Sequence, residues 1–244
     1  MKKAQIPEIP IEEMPNIANN SFFIGFEVET CFHGSSDELN VRRAIGRGVQ
    51  MGTDGSISPR PGDWSAELRT QPLIGLKAFK RLEKVFNAVS EYGYTNQSTG
   101  LHVNLSPVSD ELYYEINPFY LVCHPLFKEI KKRFKRENNN YCQAYHPPRK
   151  PSQNNIALSL FRKCVNANSV HHPSITGRYH GHYSAVNFDN MALPRTKCSR
   201  IEIRAFGNTN YHKRLQEVAF WTNQIIGLII ESATAHKLPN SVIL

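Results

Sequence analysis

The chain has 244 residues, 40% of them hydrophobic, which is enough for one sizeable core or two small ones. Its five cysteines are odd in number, far apart and without a C-x-x-C pair, which argues against a disulfide framework or a structural zinc site and fits a reducing cytoplasm. A formal charge of +8 suits anionic partners, while the apolar run 225–230 is far shorter than a membrane span and Met1-Lys2-Lys3 opens no signal peptide, so a soluble protein with no membrane partner is expected.

Residues 1–20 read as an extended N-terminal arm, because Pro7, Pro10 and Pro15 oppose regular structure. Residues 21–244 read as a single domain, with no low-complexity linker and no internal repeat. In Phe22–Glu29 the residues alternate, placing Ile24, Phe26 and Val28 on one face of a strand and Glu27 with Glu29 on the other. Thr53-Asp54-Gly55-Ser56 has the composition of a turn, with Asp54 as its turn carboxylate. A second strand, at 66–69, sets Glu67 and Arg69 opposite Ala66 and Leu68.

The spacing of Leu76, Phe79, Leu82, Phe86 and Val89 predicts a helix over 73–92, ended by Gly93. Leu101–Leu105 then alternates again, with His102 and Asn104 on the polar face. A helix is expected over 117–136; its basic stretch from Lys128 to Arg136 has few aromatics and reads as a solvated face, not a nucleic-acid platform. The histidines at 171, 172, 180 and 182 lack a cysteine or carboxylate pair at ligand spacing, so no zinc site is assigned there. Strands at 184–188 and 201–204 carry Asn187, and then Glu202 and Arg204, opposite apolar partners, and a last helix is expected over 211–237.

Together these elements predict an α+β layer fold: an antiparallel sheet of about five to six strands, helices on one face, and the other face open and concave. That polar face could serve solubility alone, but solvated strands favour Thr, Ser and Lys, and here it holds Glu, Arg, His and Asn without a lysine. Two carboxylates about 5 Å apart repel by roughly 3 kcal/mol at an effective dielectric near 20. Such a cluster must shift its pKa values upward or recruit cations, and oxygen-rich sets suit Mg²⁺ or Mn²⁺ shared with substrate phosphates. Arg69 and Arg204 could then meet phosphate oxygens in bidentate contacts. His102 has an alternative as a hydrogen-bonded structural residue.

The ordered set Gly25-Phe26-Glu27-Val28-Glu29, Asp54-Gly55-Ser56, Glu67-Leu68-Arg69-Thr70-Gln71-Pro72, Gly100-Leu101-His102-Val103-Asn104 and Ile201-Glu202-Ile203-Arg204 resembles the amidoligase family, relatives of glutamine synthetase and γ-glutamylcysteine synthetase. The resemblance spans about 22–221. It implies a glutamine synthetase-like catalytic sheet, ATP and Mg²⁺ (or Mn²⁺) as cofactors, and, since the family is common in phages, a phage-encoded origin. It further implies Glu27, Glu29, Glu67 and Glu202 as metal ligands, with His102 beside metal and nucleotide. Arg204 would stabilise the transferred phosphoryl group, Arg69, Asn104 and Asp54 would lie on the nucleotide side, and Arg178, Tyr183 and Asn187 on the acceptor side. Two positions depart from the family: Asn104 stands where a second histidine is common, and Arg69 where a hydrophobic residue is. The implied activity is ATP-dependent amide formation between a small-molecule or peptide carboxylate and an amine through an acyl phosphate, with His102 or a carboxylate taking the amine's proton. The alternatives are a metal-dependent nuclease or phosphohydrolase, for which nucleic acid would be the partner, and an inert nucleotide-binding relative.

Overall fold

The computed structural model of the protein describes residues 7–116, 120–121, 124–139, 142, 184–188, 190 and 199–234. Its strands are β1 (Phe22–Phe32), β2 (Val49–Gly52), β3 (Trp64–Thr70), β4 (Leu73–Ile74), β5 (Gly93–Tyr94), β6 (Gly100–Pro107), β7 (Val186–Asn187) and β8 (Ile201–Gly207). Its helices are α1 (Pro15–Ala18), α2 (Glu38–Ile45), α3 (Leu76–Tyr92), α4 (Asp110–Glu115), α5 (Leu126–Arg133) and α6 (Leu215–Thr234), with 3-10 turns at Ile11–Glu13 and Tyr211–Lys213. The class is α+β, as the alternating strands and periodic helices predict. The strand number is higher than the expected five to six, because β2, β4 and β5 are too short to show alternation. The chain forms two compact units, residues 1–104 with 206–226 and residues 105–205 with 227–244. The boundaries fall inside β6, β8 and α6, so no change of composition marks them.

In the first unit, β2, β3, β1 and β6 lie in that order. β1 and β3 run antiparallel, in register from Glu27 opposite Arg69 to Phe32 opposite Trp64, and β4 and β5 pair antiparallel with β1 as well. Phe22, Ile24, Phe26, Val28 and Phe32, one face of β1, are each at most 1% exposed. Fully burying a side chain of this size contributes roughly 1.5–3 kcal/mol. Phe26 meets Phe79 of α3 edge-on at 5.4 Å, and Ala78, Leu82, Val85, Phe86 and Val89 continue the buried stripe of that helix.

The structure moves the start of α3 from Leu73 to Leu76. Leu73 and Ile74 pair with Ile24 and Phe23, and Gly75 then turns the chain at φ +52, where a β-carbon would also fall 2.1 Å from the Asn20 side-chain oxygen. The stretch expected to be extended contains a 3-10 turn and α1, whose first residue is Pro15, the position where a missing N–H costs nothing. Met14 and Ile17 are buried there, and Asn16 donates two hydrogen bonds of 2.9 Å to Asn223, from its main-chain N–H to Oδ1 and from Nδ2 to the carbonyl oxygen. α2 lies where no element was expected; Asp37 caps it by accepting from the Leu39 N–H, and Gly46 ends it at φ 75.

In the second unit, β7 and β8 pair antiparallel with Asn187 opposite Glu202. Where one helix was expected over 117–136, α5 covers Leu126–Arg133, and α4 lies upstream, capped by Ser109. The basic helix is not wholly a solvated face: Lys131 is 4% exposed, and burial pushes its ammonium pKa down. No helix among the described residues is long and apolar enough to cross a membrane.

His212, buried in the 3-10 turn before α6, meets Thr95 Oγ1 at 2.9 Å through Nδ1, and burial lowers its pKa to about 4. The unfolded ring protonates near 6.5, so stability is full above that pH and is lost as the pH falls toward 4, by about 3 kcal/mol if nothing else compensates. His212→Asn should flatten this part of the acid limb in urea unfolding measured from pH 7 to pH 4.

Candidate functional site

The first unit gathers six of the expected site residues. Cross-strand partners share a face, so Glu29 stands directly opposite Glu67, and Glu27 opposite Arg69. β6 lies along the other edge of β1 and brings His102 and Asn104 to the same acids. The His102 ring lies between two of them, Nδ1 3.3 Å from Glu27 Oε2 and Nε2 3.3 Å from Glu29 Oε1. Asn104 donates to Glu27 Oε1 at 3.0 Å, the Gly100 N–H donates to Glu29 Oε2 at 2.5 Å, and Arg69 pairs with Glu67.

This face is polar but mostly buried. Glu29, Glu67, His102 and Asn104 are 3–7% exposed, whereas the Arg69 side chain is 54% exposed. Among the described residues, three carboxylates share the face with one arginine. The imbalance registers at Glu67, whose pKa rises to about 7, chiefly from burial and then from the Glu27 charge, while Arg69 and His102 offset part of the rise. One ligand atom each from Glu27, Glu67 and His102 lie within 4.8 Å of one another. Ligand atoms about 2.1 Å from one ion are separated by at most about 4.2 Å, so the set fits a small divalent cation after a shift of a few tenths of an ångström.

The second unit gathers Asn187, Glu202 and Arg204, each 3–4% exposed. Arg204 donates to Glu202 Oε1 at 2.6 Å and Asn187 to Glu202 Oε2 at 2.9 Å, so both oxygens of this buried acid are held. Asp54 does what its sequence context predicts and closes a turn by accepting from the Ser56 N–H at 2.7 Å. Arg178, Tyr183 and the histidine tract at 171–182 lie outside the described residues.

Sequence reasoning missed two contributors. Gln50 and Gly52 of β2 stand opposite Arg69 and Glu67, extending the face by one strand, but four residues of β2 give too short a pattern to read. Tyr211, expected only as a helix start, brings its hydroxyl within 2.7 Å of the Glu29 carbonyl oxygen and 2.9 Å of the Gly100 carbonyl oxygen, fastening the two site strands together. Nothing local to Tyr211 in the sequence signals that task.

Glu67 in the folded protein keeps a proton between pH 4.5 and 7 that the unfolded chain releases. The stabilisation is thus present below 4.5 and lost as pH rises through 7. At pH 8, in chelator, Glu67→Gln should raise the melting temperature by several degrees, whereas added Mn²⁺ should stabilise the wild type and not the variant. In the second unit Arg204→Met removes a buried guanidinium donor to Glu202 and should cost about 3–5 kcal/mol in urea unfolding, most of it recovered by adding Glu202→Leu.

No protein-family model matches the chain, and no curated protein does. It resembles a solved structure described as a novel glutamine synthase homolog, with 14% identity and a TM-score of 0.42. That match covers 90% of this chain and 57% of the other, so the chain spans little more than half of that protein's length.

Proposed function

We propose that the protein is an ATP- and Mg²⁺- or Mn²⁺-dependent carboxylate–amine ligase of the amidoligase type. The observation that carries this is the close-set acid group: Glu27 and Glu67 with ligand atoms within 4.8 Å of one another and of His102, and Glu29 beside the ring. A fold does not keep such repulsion for solubility, and it gains from a divalent cation. Glu27, Glu67 and His102 would hold the ion, whose charge would offset that of the nucleotide's phosphate oxygens.

Amide formation in water is uphill, and a carboxylate is a poor electrophile. In such an enzyme the γ-phosphoryl group passes from ATP to the substrate carboxylate, leaving ADP and an acyl phosphate. The amine then attacks the acyl carbon; the C–N bond forms, the C–O bond to phosphate breaks, and the amine's proton goes to a site carboxylate. The Arg69 guanidinium, exposed at its tip and held by Glu67, is available to a phosphate oxygen. Asn104 keeps Glu27 turned by holding one of its oxygens. By the resemblance alone Arg204 is assigned to charge that develops on the transferred group; within the second unit it donates to Glu202, which also accepts from Asn187.

Purified protein with ATP, Mg²⁺ and pooled amino acids or polyamines should release ADP and phosphate in proportion to a new amide product, and Glu27→Gln should lower the rate at least 100-fold. Product formed without ATP, or no nucleotide binding at millimolar Mg²⁺, sinks the ligase; cleavage of plasmid DNA that Glu27→Gln abolishes would replace it with a nuclease.

A further inference from the structure

We infer that one flank of α3, together with the turn that follows α2, is a docking surface for the phosphate backbone of double-stranded nucleic acid. The inference uses no residue of the acid face and is independent of the ligase reading.

Positions 77, 80, 81 and 84 form one stripe of α3, and all four are basic: Lys77, Lys80, Arg81 and Lys84. The stripe meets the turn that follows α2. A β-carbon built on Gly46 would lie 2.6 Å from Lys84 Nζ, and one on Gly48 would lie 2.6 Å from Arg81 Nη1, so both side chains lie against the turn's backbone. Arg47 stands between the two glycines and brings a fifth cation to the same place. Lys77, Lys80, Lys84 and Arg47 are exposed, and Arg81 is half-buried. Among the described residues, none of these five side chains makes an ion pair or a hydrogen bond, whereas Arg42, Arg69, Arg204 and Arg214 each have a carboxylate partner. The acids of these elements do not offset them. Glu38 is taken by Arg42, Glu83 falls about 100° round α3 from Lys84, and Glu91 lies about two turns further along.

Like charges held together favour an anionic partner, and the shape of the group says which. Lys77 to Lys84 span roughly 10 Å along the helix axis, too long for one phosphate, so the partner repeats its charge. Protein interfaces are enriched in aromatics and depleted of lysine, and a helix lying on a membrane needs an apolar face against the acyl chains. Neither description fits, because Leu39, the exposed large hydrophobic of these elements, is at the other end of α2 from the turn. Single strands are held by bases stacked on aromatic rings, and the stripe has none. A duplex has the densest row of phosphates and needs only cations to hold it. Phe79 of α3 packs on Phe26, on the apolar face of β1, so this surface and the acids lie on opposite sides of that strand. A duplex docked on α3 is therefore held away from the acid face.

Fluorescence anisotropy with a labelled DNA duplex tests the assignment. The logarithm of the binding constant should fall with the logarithm of salt concentration at a slope of about −4.5, the value for five phosphate contacts. The double variant Lys80→Gln/Lys84→Gln should bring the slope to about −2.7 and weaken binding at least 10-fold at roughly 100 mM salt. Removing the same charge from α5, by Lys128→Gln/Lys132→Gln, should weaken binding less than about 3-fold, which separates this surface from the net charge of the chain. No duplex binding at roughly 50 mM salt, or an α5 variant that loses as much as the α3 variant, overturns the assignment. Tighter binding to polyglutamate, to single-stranded DNA or to phosphatidylserine vesicles than to the duplex overturns it as well. None of these outcomes bears on the ligase reading, whose own assay needs no nucleic acid.

Discussion

β1 is paired along both edges, and its two-residue period is the constraint on which the first unit depends. Every apolar side chain it sends toward α3 obliges the next residue to point the other way. Glu27 and Glu29 therefore cannot leave the polar face unless Phe26 and Val28 leave the core. Slipping the register by one residue would reverse both faces at once. Hydrophobic burial thus holds the acids together against their mutual repulsion, and the core and the candidate site are two outcomes of one alternation.

The two polar clusters balance their charges in different ways. In the Asn187–Glu202–Arg204 group both oxygens of the acid are engaged, one by an arginine and one by an amide. Such a group gives its strand a fixed side-chain arrangement but little net stability. The Glu27–Glu29–Glu67 group has more negative charge than Arg69 can offset, and part of the difference appears as the raised pKa of Glu67.

Much of this was legible in the residue pattern, for a physical reason. Alternation needs more than about four residues to declare itself, and β1, β3, β6 and β8 all have at least seven. Helix α3 announced itself through its apolar stripe, but its start was misread because Leu73 and Ile74 also fit that stripe, and only the backbone at Gly75 separates them. β4 and β5 are two residues each and exist because β1 offers them an edge, a tertiary cause with no local signature. In the site, sequence could state that Glu27, Glu29, Glu67, His102 and Asn104 share a face. It could not state which acid touches which nitrogen, because that follows from the stagger between β1 and β6 and from the grip of Tyr211. Nor did it suggest that Glu29, Glu67, His102 and Asn104 are only 3–7% exposed.

Tyr211 also bears on how the protein is made. The first unit is discontinuous in sequence: residues 1–104 are translated first, and residues 206–226 follow a hundred residues later. On the ribosome, β1, β3 and β6 can pair as soon as they emerge, but the hydroxyl that fastens Glu29 to Gly100, and the Asn223 partner of Asn16, do not yet exist. Closing so long a loop is slow compared with pairing neighbouring strands. Until residues 206–226 emerge, the nascent chain therefore carries a loosely fastened sheet with its acid face unfinished.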